Sequence, residues 1–300
     1  RSYAESRETD VPSVLMELLS HENFADMKYG LDPRFKFTVS RSIYKAILKY
    51  LAYQHHSPFV VQPLPVSHLA SEFVDDTHIN LSWKAENDSL EPTAIPNRFI
   101  VYTRVEGEGF DNGQITEGTS MTLAVEKGKI YSFRVTAVND GGESMPSETL
   151  SVCRNWKSTP VAMIVNGFDR ISAPTWFDTP SYGGFTDNGV PDKADISYTG
   201  KQNNFNRLNF KGQESATFGT SDANFENISV AGNSFDFPYI HGQALKSAGY
   251  SFVSCSRTAV EENGELLNGY KMVDLILGKE KQVPFGGNVN HVAFRTLQTN

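Results

Sequence analysis

The stretch Tyr131-Ser132-Phe133-Arg134-Val135-Thr136-Ala137-Val138-Asn139 decides the fold of the middle of this chain. Large apolar residues alternate with smaller or polar ones along it, and this period of two predicts a strand with one buried face. The following Asp140-Gly141-Gly142 is typical of a turn that needs positive φ. Two more stretches alternate in the same way, namely Ile79, Leu81 and Trp83, and Phe99 and Val101. We therefore expect residues 57–153 to form an all-β sandwich of about seven strands.

The length and charge of the chain limit what it can be. Three hundred residues predict two or three domains, and a hydrophobic fraction of 39% excludes a disordered chain. Asp and Glu outnumber Lys and Arg by 35 to 27, so the net charge of −8 argues against a nucleic-acid partner and against anionic lipid. No apolar run approaches the roughly 18 to 20 residues of a transmembrane segment. The first residues have neither an initiator Met nor an apolar signal core, and we expect the chain to start at a cut.

The segment before the sandwich, residues 1–55, has α/β character. Val11–Met16 predicts a buried strand, and Asp32 before Pro33 predicts the start of a helix, because Asp caps free amides and Pro suits the first helical position. One apolar stripe should run along that helix, with Arg34, Lys45 and Lys49 outside it. Its members are Phe35, Val39, Ile43, Ile47 and Leu51.

Residues 157–300 also predict an α/β domain, built on a parallel sheet. Val161–Val165, Ser251–Cys255 and Met272–Gly278 are continuous apolar runs of strand length. Helical stretches separate them, which gives the order β-α-β-α-β. A long insertion, residues 173–237, follows the first of these strands. Three strands leave open sheet edges, so we expect further chain after Asn300 to cover them.

Cysteine chemistry is not expected to provide the activity. Cys153 and Cys255 fall in different segments, so we expect no disulfide between them. A nucleophilic Cys255 would need His241 or His291 as a partner, but a free strand cysteine is more often buried and unreactive. A Gly-rich phosphate loop and a Gly-x-Ser-x-Gly elbow are both missing from the sequence, which argues against nucleotide cofactors and serine hydrolases.

The insertion is rich in aromatic residues interleaved with Asn and Asp. Trp176 and Tyr182, with Asp169 at the preceding strand end, are candidate glycan-binding residues, since rings stack on sugars and carboxylates bind hydroxyls. The alternative is that these rings build local core. A cluster of acidic and amide residues could form a calcium loop, although its spacing also suits a solvated turn. Its members are Asp187, Asn188, Asp192 and Asp195.

The stretch Pro12-Ser13-Val14-Leu15-Met16-Glu17, followed by Ser20, Asn23 and a long helix, resembles the C-terminal end of zinc-dependent N-acetylmuramoyl-L-alanine amidases. In that family a Pro-x-Val-Leu-x-Glu strand delivers a catalytic glutamate, and the final helix packs on the sheet. The match covers about one sixth of the chain. His21 departs from the family, which usually has Asn there.

The resemblance implies a specific reaction. Zinc lowers the pKa of bound water, and a carboxylate at a strand end takes up the proton and returns it to the leaving amine. Glu17 is the residue in that position, and the alternative for it is a solvated carboxylate. The resemblance places the zinc ligands, two His and one Glu, upstream of Arg1, so no metal ligand is expected within this chain.

The other two segments carry resemblances of their own. Residues 57–153 resemble a fibronectin type III module, in which Trp83 would be the core tryptophan and Tyr131 the corner tyrosine, both structural. Residues 157–300 look like the flavodoxin-like or amidotransferase-like domain of bacterial multidomain proteins labelled amidase or xanthan lyase. Neither resemblance implies a catalytic residue.

Together these patterns predict a modular protein that is secreted, periplasmic or on the cell surface. We expect a cell-wall hydrolase that cleaves the amide between N-acetylmuramic acid and L-alanine, with zinc as cofactor and peptidoglycan or another polysaccharide as partner. A non-catalytic glycan-binding or scaffold protein is the alternative from another class. A xanthan-lyase-like protein that processes polysaccharide is a third.

Overall fold

The computed structural model describes eleven stretches of the chain, and the statements below concern these alone. They are residues 4–8, 10–20, 23–157, 160–168, 175–180, 182–186, 201–206, 220–221, 236–277, 282–283 and 287–288. In the described residues no helix has the length and apolar character needed to cross a membrane.

The N-terminal segment consists of three helices, α1 (Ala4–Arg7), α2 (Phe24–Gly30) and α3 (Pro33–His55). The predicted strand at Val11–Met16 is wrong, because residues 12–20 have no regular secondary structure. A strand needs a neighbour to receive its backbone hydrogen bonds, and none of the described strands pairs with this stretch. Its large apolar side chains are therefore exposed: Val11, Val14, Leu15, Met16, Leu18 and Leu19.

Local capping explains where α2 and α3 begin. The Asn23 side chain accepts hydrogen bonds from the first amides of α2, and Asp32 accepts one from the amide of Arg34 at 2.8 Å. Pro33 stands at the first position of α3, as the sequence predicts. His56 ends the helix in the left-handed region with φ of 50°.

Helix α3 is tied to the sandwich by polar side chains, and the predicted apolar stripe is only partly covered, with Phe35, Val39 and Ile43 half-buried. Arg41 Nε lies 2.9 Å from Asp88 Oδ2, and Lys45 Nζ lies 3.6 Å from the same oxygen. The expectation that Lys45 lies outside is therefore wrong. Ile47 and Leu51 of the stripe remain exposed, because the sandwich presents Asp88 and backbone carbonyls to this helix.

The middle segment is a two-sheet sandwich, as predicted. Strands β1 (Ser67–Phe73), β2 (His78–Lys84) and β5 (Ser120–Ala124) pair in one sheet. The other sheet contains β3 (Arg98–Val105), β4 (Gln114–Thr116), β6 (Tyr131–Asn139), β7 (Gly142–Glu143) and β8 (Leu150–Val152). Because β7 and β8 both pair with β6, they act as one interrupted strand, and the sandwich has the expected seven strands.

Both structural aromatic residues take the predicted places. Trp83 is buried and meets Phe99 edge to face, with 5.6 Å between ring centroids. The Tyr131 hydroxyl accepts a hydrogen bond from the backbone amide of Glu126 at 3.3 Å, which is how a corner tyrosine ties a loop to its strand. Gly142 has φ of 127°, as the predicted turn requires.

The third segment has the predicted order of elements. Strand β9 (Val161–Asn166) leads to α4 (Phe237–Ser247), β14 (Ser251–Ser256), α5 (Arg257–Glu262), a 3₁₀ helix (Gly264–Leu267) and β15 (Met272–Ile276). β9 lies between β14 and β15 and is parallel to both. A Cβ atom on Gly242 would collide with the Phe252 ring, so a glycine is needed where α4 crosses β14.

The insertion contributes a small antiparallel sheet. Its strands are β10 (Thr175–Asp178), β11 (Tyr182–Thr186), β12 (Lys201–Asn206) and β13 (Thr220–Ser221), in that spatial order. After β15, β16 (Gln282–Val283) and β17 (Gly287–Asn288) form a two-stranded ladder. The predicted calcium loop lies outside the described residues.

The sandwich and the third segment share one sheet. β14 pairs antiparallel with β1 at Cys255 and Ala70, giving six strands in the order β15-β9-β14-β1-β2-β5. Further along the same edge of β14, opposite β9, the backbone of Phe252 exchanges two 2.9 Å hydrogen bonds with Cys153, just after β8. Of the open edges expected for the three-stranded parallel sheet, the one formed by β14 is therefore covered from within this chain.

Four buried serines complete the junction. Ser71 Oγ donates to the carbonyl of Ser254 at 2.7 Å and accepts from its amide at 3.0 Å. Ser254 Oγ makes the same pair of bonds to the backbone of Ser151, at 2.7 and 2.8 Å, and Ser151 in turn contacts Ser132. Side chains thus supplement the ladder hydrogen bonds between β14 and both β1 and β8, which satisfies backbone groups that are out of reach of water.

One hydrophobic core runs through this junction. It includes Leu81 and Phe133 of the sandwich together with Val165, Val253 and Val260 of the third segment. A second cluster lies on the opposite face of the parallel strands, under α4. The domain limits 1–55, 57–153 and 157–300 stay a prediction, and the structure adds that the last two share a sheet and a core.

Candidate functional site

Glu17, the predicted catalytic carboxylate, is exposed and lies in the irregular stretch before α2. This stretch is held to α2 at its end, where the Ser20 amide donates to Asp26 Oδ2 at 3.0 Å. Leu19 Cδ1 lies 3.6 Å from where a Cβ on Gly30 would be. The structure thus positions the residues that follow Glu17 against α2 and leaves the Glu17 side chain at the surface.

The part of the chain that the structure describes holds no group of three or more His, Cys, Asp or Glu residues able to bind a metal ion. The described residues therefore provide no zinc site, and the zinc ligands upstream of Arg1 stay a prediction.

Trp176, a candidate glycan-binding residue, lies in β10 beside α2. Lys28 Nζ is 3.9 Å from the centroid of the Trp176 ring, 4.5 Å from that of Phe24 and 3.7 Å from Asp178 Oδ2. One face of the indole therefore contacts an ammonium group, and a sugar would have to use the other face. Gly183 of β11 allows the close approach of Phe24, since a Cβ there would lie 2.9 Å from its ring.

The other two glycan candidates can be located only in part. The backbone of Tyr182 begins β11, but its side chain lies outside the described residues, as does Asp169 altogether. The structure therefore brings Trp176 and the backbone of Tyr182 into one hairpin and does not place Asp169. Their role in glycan binding stays a prediction.

Both cysteines are free and buried, as expected. Burial raises the pKa of Cys153 to about 11, and burial together with the charge of Glu148 raises the pKa of Cys255. Both thiols therefore stay protonated and weakly nucleophilic at neutral pH.

Of the two histidines considered as partners for Cys255, His241 bonds to another residue. His241 Nδ1 lies 2.8 Å from Asp274 Oδ2, and this hydrogen bond raises the pKa of His241 in spite of partial burial. His291 lies outside the described residues.

The carboxyl ends of the parallel strands contain one unusual polar group. Asn166 at the end of β9 is 1% exposed, and its Nδ2 donates to a Glu148 carboxylate oxygen. Its Oδ1 is buried without a hydrogen-bond partner among the described residues. Ligands of open parallel sheets bind at such ends, but residues 169–174 and 278–281, which follow β9 and β15, lie outside the described residues.

An open cleft of about 370 Å³ lies where the sandwich meets the third segment. One wall is formed by β1 and β2, with Glu72 and Ser82, and the other by the chain between α5 and β15, with Glu265, Asn268 and Tyr270. Sequence analysis missed this cleft, because its walls are far apart in the chain and no motif joins them. The one signal in the sequence is the polar run Glu261-Glu262-Asn263-Gly264-Glu265 after a predicted strand.

Comparison with known proteins gives a family match for the sandwich. Residues 69–147 match the family described as a PBP1-like, fibronectin3-like domain. No curated protein matches the sequence.

Similar solved structures cover the same part of the chain. The fourth FNIII domain of a human protein is 20% identical over 33% of this chain and 84% of its own, with a TM-score of 0.29. The fibronectin type-III domain of human fibronectin type III domain containing protein 3 is 24% identical over 32% and 88%, with a TM-score of 0.27. The twitchin kinase region from C. elegans is 24% identical with a TM-score of 0.29, and the match covers 33% of this chain but only 18% of that one. The family match and the paired strands agree that residues 69–147 form a fibronectin type III-like domain.

Proposed function

We propose that this chain is part of a cell-wall hydrolase that cleaves the N-acetylmuramoyl-L-alanine amide bond, with Glu17 as the catalytic carboxylate. The observation that carries the proposal is the order Pro12-x-Val14-Leu15-x-Glu17, then the Asn23-capped α2 and the Asp32-capped α3. Motif and helices follow one another as in the C-terminal end of zinc amidases. Glu17 would take a proton from the attacking water and return it to the leaving amine.

The exposed apolar side chains of residues 11–19 support this proposal. Val14 is 79% exposed and Leu15 52%, although both suit a buried strand. A continuous apolar segment at a surface marks a place where other protein packs. In the proposed enzyme this segment pairs with a sheet that also carries the zinc ligands, upstream of Arg1. The protein would then work on peptidoglycan outside the cytoplasm.

The test uses the natural polypeptide extended upstream of Arg1. We expect two His and one Glu in that extension, bound zinc by mass spectrometry, and release of amine from purified peptidoglycan. Glu17→Ala should retain zinc but lower the rate by about 10²- to 10⁴-fold, as the loss of a general base does. Glu8→Ala is the matched control, because Glu8 is an exposed glutamate in the same segment. Absence of the three ligands, or full activity of Glu17→Ala, would refute the proposal.

A second candidate is a non-catalytic glycan-binding or scaffold protein. The shared sheet of sandwich and third segment favours it, since such a continuous body suits the rigid display of a binding surface better than independent catalysis. The same assay separates the two candidates. A scaffold protein would co-sediment with peptidoglycan but would release no amine from it.

A further inference from the structure

The cleft between the sandwich and the third segment offers polar groups that the protein itself does not use. Among the described residues, the structure records no hydrogen bond to the side chains of Ser82, Glu265, Asn268 and Tyr270. Glu72 Oε1 accepts only a long bond of 3.4 Å, from Asn80 Nδ2. Hydroxyl, amide and carboxylate groups and a tyrosine ring therefore line one open space.

The residues that line the cleft favour a neutral, polar ligand. None of the residues lining the cleft is Lys, Arg or His, while two are glutamates, so an anionic ligand would be repelled. Carboxylates accept hydrogen bonds from neighbouring hydroxyls, and the Asn268 amide both donates and accepts. Tyr270 and Leu266 add an apolar surface on which a ring can lie. The volume of about 370 Å³ is far too large for a bare ion and falls within the usual ~300–1,000 Å³ of small-molecule sites.

We propose that this cleft binds a neutral saccharide, with Glu265 and Asn268 hydrogen-bonded to its hydroxyls and Tyr270 against its ring. The proposal does not depend on the amidase function, because Glu17 is not among the residues that line the cleft. It also places the saccharide elsewhere than the β10–β11 hairpin with Trp176.

Two features of the fold hold the walls of the cleft in place. Tyr270 is anchored at the margin of the shared core, and burial, followed by the proximity of Cys255 and Glu72, raises its pKa to about 12. Packing against the core therefore holds the Tyr270 ring in place. The opposite wall is fixed because Ser71, beside Glu72, is bonded to the backbone of Ser254. A preformed site avoids the entropic cost of ordering its walls.

The experiment is an NMR and calorimetric titration of the 300-residue chain with chitotriose, cellotriose and trigalacturonate. We expect saturable binding of at least one of the two neutral trisaccharides and none of the acidic one. Glu265→Ala and Asn268→Ala should each weaken binding about tenfold or more, the usual effect of losing a hydrogen bond in a small site. Both residues are exposed, so the variants should keep the fold, which circular dichroism checks.

Glu117→Ala and Asn112→Ala are matched controls, since both residues are exposed and neither lines the cleft, and these variants should bind like the parent chain. Three results would overturn the proposal. These are no saturable binding of either neutral trisaccharide up to about 10 mM, an affinity for trigalacturonate equal to theirs, and binding that survives both cleft variants but is lost in Trp176→Ala. The last result would assign saccharide binding to the hairpin. None of these measurements depends on zinc or amide hydrolysis, so failure here leaves the amidase proposal standing.

Discussion

Ser254 shows at the scale of one residue how β14 is joined to both β1 and β8. The Ser254 hydroxyl accepts a hydrogen bond from the amide of Ser151 and donates one to its carbonyl. The backbone of Ser254 in turn bonds to the Ser71 hydroxyl. We expect Ser254→Ala to lower the free energy of unfolding by about 1–3 kcal/mol, because two buried backbone groups lose their partner. Denaturant unfolding measures this.

Ser247→Ala is the control for that measurement. Ser247 is exposed, and its hydroxyl bonds only to a carbonyl of its own helix, Gln243 O. The change should alter stability by less than about 0.5 kcal/mol. An equal loss in both variants would mean that the buried serine network adds nothing specific to the junction.

At the scale of one element, the docking of α3 depends on the charge of Asp88. Burial favours the neutral acid, but the hydrogen bonds from Arg41 and the Leu90 amide, with the nearby charge of Lys45, hold the pKa of Asp88 below its ordinary value. The pKa of Asp88 is therefore lower in the folded chain than in the unfolded chain. Its contact with α3 contributes its full stability at pH values above the unfolded-state pKa, and this stability is lost as the pH falls through the folded-state pKa. We expect hydrogen exchange in residues 41–52 to quicken below about pH 4 relative to the sandwich strands.

Asp88→Asn provides the comparison. The amide keeps the size of the side chain but has no charge to lose, so exchange in α3 should be faster at neutral pH and should show no further acid step from this contact. A wild-type chain whose α3 exchanges at the same relative rate at pH 7 and at about pH 2 would show that the charge of Asp88 does not hold the helix.

The elements also show how far sequence reasoning reaches. Alternation in Tyr131–Asn139, the Asp32-Pro33 start and the apolar runs at β9, β14 and β15 predict their structures, because the signal lies within each stretch. Val11–Met16 carries an equally good strand pattern and is not a strand, since a strand also needs a neighbour to pair with. Lys45 was misplaced for a similar reason, as its partner Asp88 belongs to another segment. The cleft could not be predicted, because it arises only once β1 and β14 pair.

At the scale of the whole molecule, we expect the sandwich and the third segment to unfold together. Fibronectin-like modules usually fold alone, but here β14 pairs with β1 and contributes Val253 and Cys255 to the shared core. In residues 57–156 alone, the sandwich side chains that pack against this part of the core become exposed. This shorter chain should be less stable than residues 57–300 by at least about 3 kcal/mol, because exposing two buried apolar side chains already costs about 1.5–3 kcal/mol each. The longer chain should show one cooperative transition for both parts, with coincident near- and far-ultraviolet circular dichroism.

Residues 1–300 provide the control for the contribution of α3. An isolated sandwich with the same unfolding midpoint as the longer chain would show that the continuous sheet joins two independent folding units.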